Sequence, residues 1–192
     1  LSVFYVTCVP KLQDLFMAKK IVFAGGPATG KTTLIQTLEL RGYACAQEVS
    51  RQVTLEAREN GITQLFVSDP LLFSEKLLEG RVNQFKEAHK NKASLVFLDR
   101  GIPEVLAYLD RGNTPYPNHF TKACEDNQYD RVFIFPPWEE IYTSDNERYE
   151  DYQEALKIYP FLKAAYDRFG YESIILPKDT IENRISFVLE NI

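Results

Sequence analysis

The chain has 192 residues, 45% hydrophobic and 13% aromatic, enough apolar material to close one α/β domain around a sizeable core and too much for a disordered polymer. Its formal net charge of −5 speaks against a broad nucleic-acid face, which neutralises many phosphates with Lys and Arg. No apolar run reaches the roughly 18 residues of a membrane-spanning helix, and Cys8, Cys45 and Cys124 lack any C-x-x-C spacing, so neither a disulfide framework nor a zinc site is expected.

Residues 1–16, LSVFYVTCVPKLQDLF, are mildly apolar but lack a basic start and a small-residue cleavage site, and Pro10-Lys11 interrupts them. They do not read as a signal peptide. Met17 is the only methionine and stands just before the first apolar strand. It is the expected natural start, with residues 1–18 as an N-terminal extension and 19–192 as one domain. Reduced thiols lead to the expectation of a cytoplasmic protein, monomeric or homodimeric.

Ile21-Val22-Phe23-Ala24 reads as a short buried strand. It runs into Gly25-Gly26-Pro27-Ala28-Thr29-Gly30-Lys31-Thr32, a complete G-x-x-x-x-G-K-[ST], the pattern of a phosphate-binding loop. Gly25 and Gly30 can adopt φ > 0 and carry no Cβ, so successive N–H groups can turn inward onto phosphate oxygens. Thr32, Thr33, Leu34, Ile35 and Leu38 continue at helical spacing, so the nest leads into a helix N-terminus whose dipole also favours an anion. Lys31 is expected to reach the β- and γ-phosphates, and the Thr32 hydroxyl to help coordinate Mg²⁺. Thr33 supports an α-phosphate or the helix start.

The helix is predicted over 31–40 and ends at Arg41-Gly42. A second strand, 43–46, closes on Gln47-Glu48, after which 49–60 reads as a helix. Ligands of open α/β sheets bind outside the carboxyl ends of strands, so Glu48 is a candidate catalytic acid; equally, it suits a helix N-terminus, where the dipole stabilises it. Arg51 is an acceptor-side candidate. A connector over 64–70 precedes a long amphipathic helix, 71–91, with Leu72, Phe73, Leu77, Leu78, Val82 and Phe85 on its apolar face. His89 and His119 are unpromising as general bases.

Ser94-Leu95-Val96-Phe97-Leu98-Asp99 is a buried strand closed by a carboxylate, the Walker B form, in which Asp99 holds Mg²⁺ directly or through water. Arg100 follows at once, placed to neutralise phosphoryl charge or hold the acceptor, or else to pair with Glu48 or Asp99. After a helix over 102–109, the loop 111–119 either covers an acceptor pocket or is passive connection. A short helix, 120–127, and a fourth strand, 130–135, follow. The acidic, aromatic stretch after Pro136-Pro137 is read as a lid around 137–152 that becomes a helix over 151–169. Within it Arg148 either closes onto the nucleotide or forms a surface pair. A fifth strand, 172–176, leads to the loop 177–180, a candidate lining for adenine, and to a last helix capped by Thr180.

On the phosphate loop, Glu48, Asp99-Arg100, Arg148 and the five strands, the chain resembles the kinase-like branch of P-loop NTPases. More narrowly it resembles the AAA-domain group of predicted ATPases related to the ribosylnicotinamide kinase domain of NadR proteins. The resemblance covers roughly 19–192. It implies a three-layer α/β sandwich around a parallel sheet in the order 2-3-1-4-5 and phosphoryl transfer from ATP. In similar nucleoside kinases an acid after the second strand acts as base on the acceptor hydroxyl, and an acid-Arg pair after the third serves metal and phosphate; these fall on Glu48 and on Asp99 with Arg100. A hexameric AAA motor would need a C-terminal helical domain and sensor arginines for which these residues leave no room.

Two functions are consistent with this reading. One is a small-molecule kinase that binds MgATP, or GTP, and moves the γ-phosphate to a nucleoside-like or other metabolite hydroxyl, catalysing by positioning and charge stabilisation. The other is an NTP-hydrolysing regulatory or binding module. A GTP switch is disfavoured, because Asn91-Lys92-Ala93-Ser94 precedes a strand and lacks the Asp of N-K-x-D.

Overall fold

The computed structural model describes residues 17–142 and 152–192. Strands β1 (Lys19–Gly25), β2 (Ala44–Ala46), β3 (Leu95–Asp99), β4 (Arg131–Phe135) and β5 (Ile174–Ile175) form one sheet in the order β2-β3-β1-β4-β5, with every neighbouring pair parallel. The expected strand order is therefore present. Register pairs Phe23 with Asp99 on one side and with Phe133 on the other, which brings the phosphate loop and the β3 carboxylate together at the carboxyl ends of adjacent strands.

Because side chains alternate across a strand, the continuous apolar run of β1 serves two cores. Ile21 and Phe23 pack with helices α1 (Lys31–Leu40) and α8 (Ile181–Glu190); Val22 and Ala24 face α2 (Val49–Glu59), α4 (Pro70–Lys90) and α5 (Pro103–Arg111). A sheet buried on both faces gives the three-layer sandwich. Phe23 anchors the first core, 5.4 Å from Phe97 and 5.2 Å from Phe135 between ring centroids. Helix α7 (Tyr152–Arg168) adds Ile158, Leu162 and Ala165 against Ala107 of α5. The remaining helices are α3 (Leu65–Ser68) and α6 (Asn118–Asp126). Among the described residues no helix is long and apolar enough to cross a membrane.

Local signals account for most boundaries. Helix α1 ends in the Schellman pattern, with Gly42 N donating to Glu39 O at 2.9 Å and Tyr43 N to Leu38 O at 3.1 Å. Asp69 caps α4 by accepting from Leu72 N at 2.9 Å, and Thr180 caps α8 by accepting from Asn183 N at 3.3 Å.

Three expectations need correction. The connector over 64–70 contains the short helix α3. The fifth strand pairs only over Ile174–Ile175, with one further ladder bond from Leu176 N to Ile134 O, because an edge strand has a neighbour on one side only. On α4 the buried stripe is Ser74, Leu77, Leu78, Arg81 and Ala88; Leu72 falls off that helical period and is 42% exposed.

Candidate functional site

The phosphate loop is shaped by its own backbone. Gly25 has φ 153° and Gly30 φ 85°, both unfavourable for a side chain. A Cβ on Gly25 would also meet the Phe135 Cβ and carbonyl oxygen at 2.9 Å. The Lys31 ammonium, 6% exposed, donates to the carbonyls of Gly25 at 2.9 Å and Gly26 at 2.6 Å and lies 3.3 Å from Thr29 Oγ1. Thr29 Oγ1 in turn donates to Gly26 O at 3.0 Å. Burial, reinforced by the charge of Arg100, lowers the Lys31 pKa to about 8.

Asp99 ends β3 beside this loop and is 3% exposed. Burial raises its carboxyl pKa, with Lys31 the main opposing charge. Its Oδ1 is buried with no hydrogen-bond partner. An orphaned buried carboxylate oxygen is costly unless something completes its coordination, and an oxygen ligand beside a phosphate site suits Mg²⁺. No group of three or more metal-ligating side chains occurs among the described residues. Thr32, the other residue expected to help coordinate Mg²⁺, is half-buried and lines the same cavity as Asp99.

Glu48 and Arg100 meet. Glu48 is the N-cap of α2 and accepts from Ser50 N at 3.2 Å; it also accepts from Arg100 Nε and from Arg81 Nη2 at 3.4 Å. Arg100, at φ 77°, directs Nη1 to Glu104 Oε2 at 2.9 Å and stacks 6.0 Å from the Tyr108 ring. Burial pushes the Glu48 carboxyl upward, but the Arg100 and Arg81 charges outweigh it and hold the group well below the usual carboxylate range. Burial likewise opposes the charge of Arg100, and Glu48 above all more than compensates, so it stays protonated. The helix-cap reading of Glu48 is present in this geometry, and the same side chain lines the cavity beside the phosphate loop.

Sequence reasoning missed Arg81, Glu104 and Arg184, all buried. Arg81 donates to Gly101 O at 2.9 Å, and Glu104 accepts from Tyr166 Oη at 3.2 Å. One signal was available: Arg81 stands four residues after Leu77, inside the apolar stripe of α4. Glu104 and Arg184 left no comparable trace.

Lys31, Glu48, Arg81, Asp99, Arg100, Glu104 and Arg184 line one cavity of about 1570 Å³. Pro27 to Thr33, which follow the central strand β1, line it between residues that follow β2 and β3 and residues that follow β4 and β5. Trp138, Ile141, Asp179, Thr180 and Arg184 line one end, where the 177–180 loop was expected to meet adenine. Arg51, Leu55, Phe66, Phe73 and Tyr108 line the other, together with Arg111, Gly112 and Thr114 from the 111–119 segment. Arg148 and residues 143–151 of the expected lid lie outside the described residues; residues 137–142, with Trp138 and the 3-10 turn Glu139–Ile141, and Tyr152 are its described part.

A parallel sheet in this order, with a phosphate loop after β1 and a carboxylate closing β3, defines the kinase-like branch of P-loop NTPases. A family model described as an AAA domain matches residues 20–184, and the chain belongs to that family. Solved structures with the same fold include the deoxyadenosine kinase of M. mycoides with the products dCMP and a flexible dCDP bound (13% identity, TM-score 0.65, covering 90% of this chain and 97% of that one). Another is a NadR protein in complex with NAD and AMP-PNP (19% identity, TM-score 0.67, 93% of this chain); this chain spans about half of it, 50%. A third is the thymidylate kinase of Ehrlichia chaffeensis (16% identity, TM-score 0.60, 91% and 98%). No curated protein matches the sequence.

Proposed function

We propose that the chain is an ATP-dependent phosphotransferase that moves the γ-phosphoryl group to a hydroxyl of a small, nucleoside-like acceptor. The observation that carries this reading is the extent of the cavity. At about 1570 Å³ it exceeds the 300–1,000 Å³ typical of a single small-ligand pocket. It continues past the phosphate loop into an aromatic and basic compartment at Glu48 and Arg100. A hydrolase whose acceptor is water has no use for that second compartment.

In this reading the loop amides and Lys31 hold the triphosphate, and Asp99 with Thr32 hold Mg²⁺, which when bound neutralises charge developing on the transferred oxygens. Arg100 offers a cation to the same charge. Glu48, always ionised near neutrality, orients the acceptor hydroxyl by accepting its hydrogen bond; a loose phosphoryl-transfer transition state asks little more of a base. The deoxyadenosine kinase of the same fold supports an acceptor of this class.

The test is ATP consumption measured against a panel of nucleosides, nucleotides and vitamins, after a thermal-shift screen in the presence of AMP-PNP and Mg²⁺. Turnover that rises with one acceptor and yields its phosphorylated form supports the reading. Slow hydrolysis indifferent to every acceptor would favour the regulatory NTP-hydrolysing module instead.

A further inference from the structure

Among the described residues four cations are buried: Lys20, Lys31, Arg81 and Arg184. Lys20 pairs with Asp130 and Arg81 with Glu48, while Lys31 sits within the phosphate loop. Arg184, 1% exposed on α8, pairs with no described carboxylate. Its guanidinium lies between two rings, 4.7 Å from the Phe135 centroid and 5.5 Å from that of Trp138. Its Nη2 donates to the Thr29 carbonyl at 3.2 Å, across 155 residues of sequence, and its Nε is buried without a hydrogen-bond partner. A Cβ on Gly30 would stand 2.7 Å from Nη1, so the fork lies directly against Gly30.

That contact has a geometric consequence. A trans peptide is planar, with its C=O and N–H pointing in opposite directions. Holding the Thr29 carbonyl toward α8 turns the Gly30 N–H to the opposite side of the loop. Lys31 holds the carbonyls of Gly25 and Gly26 in the same manner. Two cations, one local and one from α8, thereby fix the orientation of three loop carbonyls.

The electrostatics point the same way. Burial alone lowers the Arg184 pKa, to about 10, so the side chain remains charged at neutral pH. A buried charge without a counter-charge is a standing cost, and it is relieved when an anion arrives within Coulomb range.

We propose that Arg184 is a positioning residue of the phosphate loop, which pins the Thr29 carbonyl so that the Gly30 N–H faces the polyphosphate and which takes that polyphosphate as its counter-ion. The proposal rests on the reading of the loop as a nucleotide site, and it couples the C-terminal helix to nucleotide binding.

Calorimetric binding of MgATP and of inorganic tripolyphosphate, with melting curves of the ligand-free proteins, tests it on R184M and R184K. R184M should keep a ligand-free melting temperature at or near that of the wild type. It should bind both ligands at least about tenfold more weakly, by the same factor, as expected for loss of a charged hydrogen bond. R184K, which keeps one donor and the charge, should recover part of that loss. A folded R184M with wild-type affinity for tripolyphosphate would overturn the proposal. So would a loss confined to MgATP, since Arg184 would then act on the base through Trp138 rather than on the loop. Should R184M fail to fold, R184Q, which loses the charge but keeps an amide donor, is read by the same criteria. A wild type that binds neither ligand would remove the nucleotide reading itself, whereas normal wild-type binding with unchanged variants removes this inference alone.

Discussion

The Glu48 carboxylate accepts a hydrogen bond from Arg100 Nε, joining residues 52 apart in sequence at the carboxyl ends of β2 and β3. Each needs the other: Arg100 keeps Glu48 ionised, and Glu48 compensates the largely enclosed guanidinium of Arg100. Glu48→Gln should slow phosphoryl transfer by about 100-fold, near the lower end for a proton-handling group, because so weakly basic a carboxylate works mainly by orientation. Nucleotide affinity should stay within a few-fold. Steady-state kinetics beside a direct binding titration checks this, and equal loss in both would make Glu48 a purely structural residue.

The same pair predicts acid sensitivity. The folded-state pKa of Glu48 lies below its unfolded value, so its contribution to stability is complete above the unfolded value, about 4.3, and is lost as pH falls through and below it. Chemical denaturation from pH 7 to pH 3 should show the wild type losing stability below about pH 4. Glu48→Gln should be less stable at pH 7, by about 1.5–3 kcal/mol for weakened charged hydrogen bonds, since Arg100 keeps Glu104 as a partner, and the gap should narrow toward pH 3.

Lys31 makes nucleotide binding depend on alkaline pH. With its pKa near 8 before the ligand arrives, the ammonium is charged below that value and increasingly neutral above it, and a bound polyanion raises it again. Affinity for MgATP should therefore be flat below about pH 7.5 and decline above pH 8, with proton uptake on binding. Calorimetry at pH 8 in two buffers of different ionisation enthalpy measures that uptake directly. Lys31→Ala should abolish the dependence and cut turnover at least about 100-fold, as for loss of one preorganised charge-stabilising group.

Asp99→Asn should separate metal from nucleotide. The variant keeps the shape of the buried side chain but offers a neutral oxygen in place of the orphaned Oδ1. Affinity for ATP without Mg²⁺ should be unchanged or stronger, since a carboxylate near phosphate is gone, while the gain on adding Mg²⁺ should shrink about tenfold or more. A Mg²⁺ titration at fixed ATP decides it; an unaltered metal response would exclude Asp99 as a ligand.

Gly25→Ala tests the loop as a packed object. The new Cβ would sit 2.9 Å from Phe135 atoms, one of them backbone, and overpacking of that kind costs about 1–3 kcal/mol. Both the melting temperature and MgATP affinity should fall. A variant with wild-type values for both would mean the loop relaxes freely and is not preorganised.

The phosphate loop, the strand that feeds it and the carboxylate that closes β3 are legible in the order of the residues alone. Gly25, Gly30, Lys31 and Thr32 act within eight residues, and Leu95 to Asp99 is one short apolar run, so backbone freedom and periodicity over a few positions suffice to read them. Arg81 was half legible, as a charge standing in the apolar stripe of α4. Tertiary structure alone decided which partners these groups take. It brings Glu48 to Arg100 and Arg81, Glu104 to Arg100 and Tyr166, and Arg184 to Thr29 from 155 residues away. The reason is physical: local propensity acts along the chain, whereas ion pairs at strand ends form only after parallel strands, far apart in sequence, have been set side by side and closed off from water.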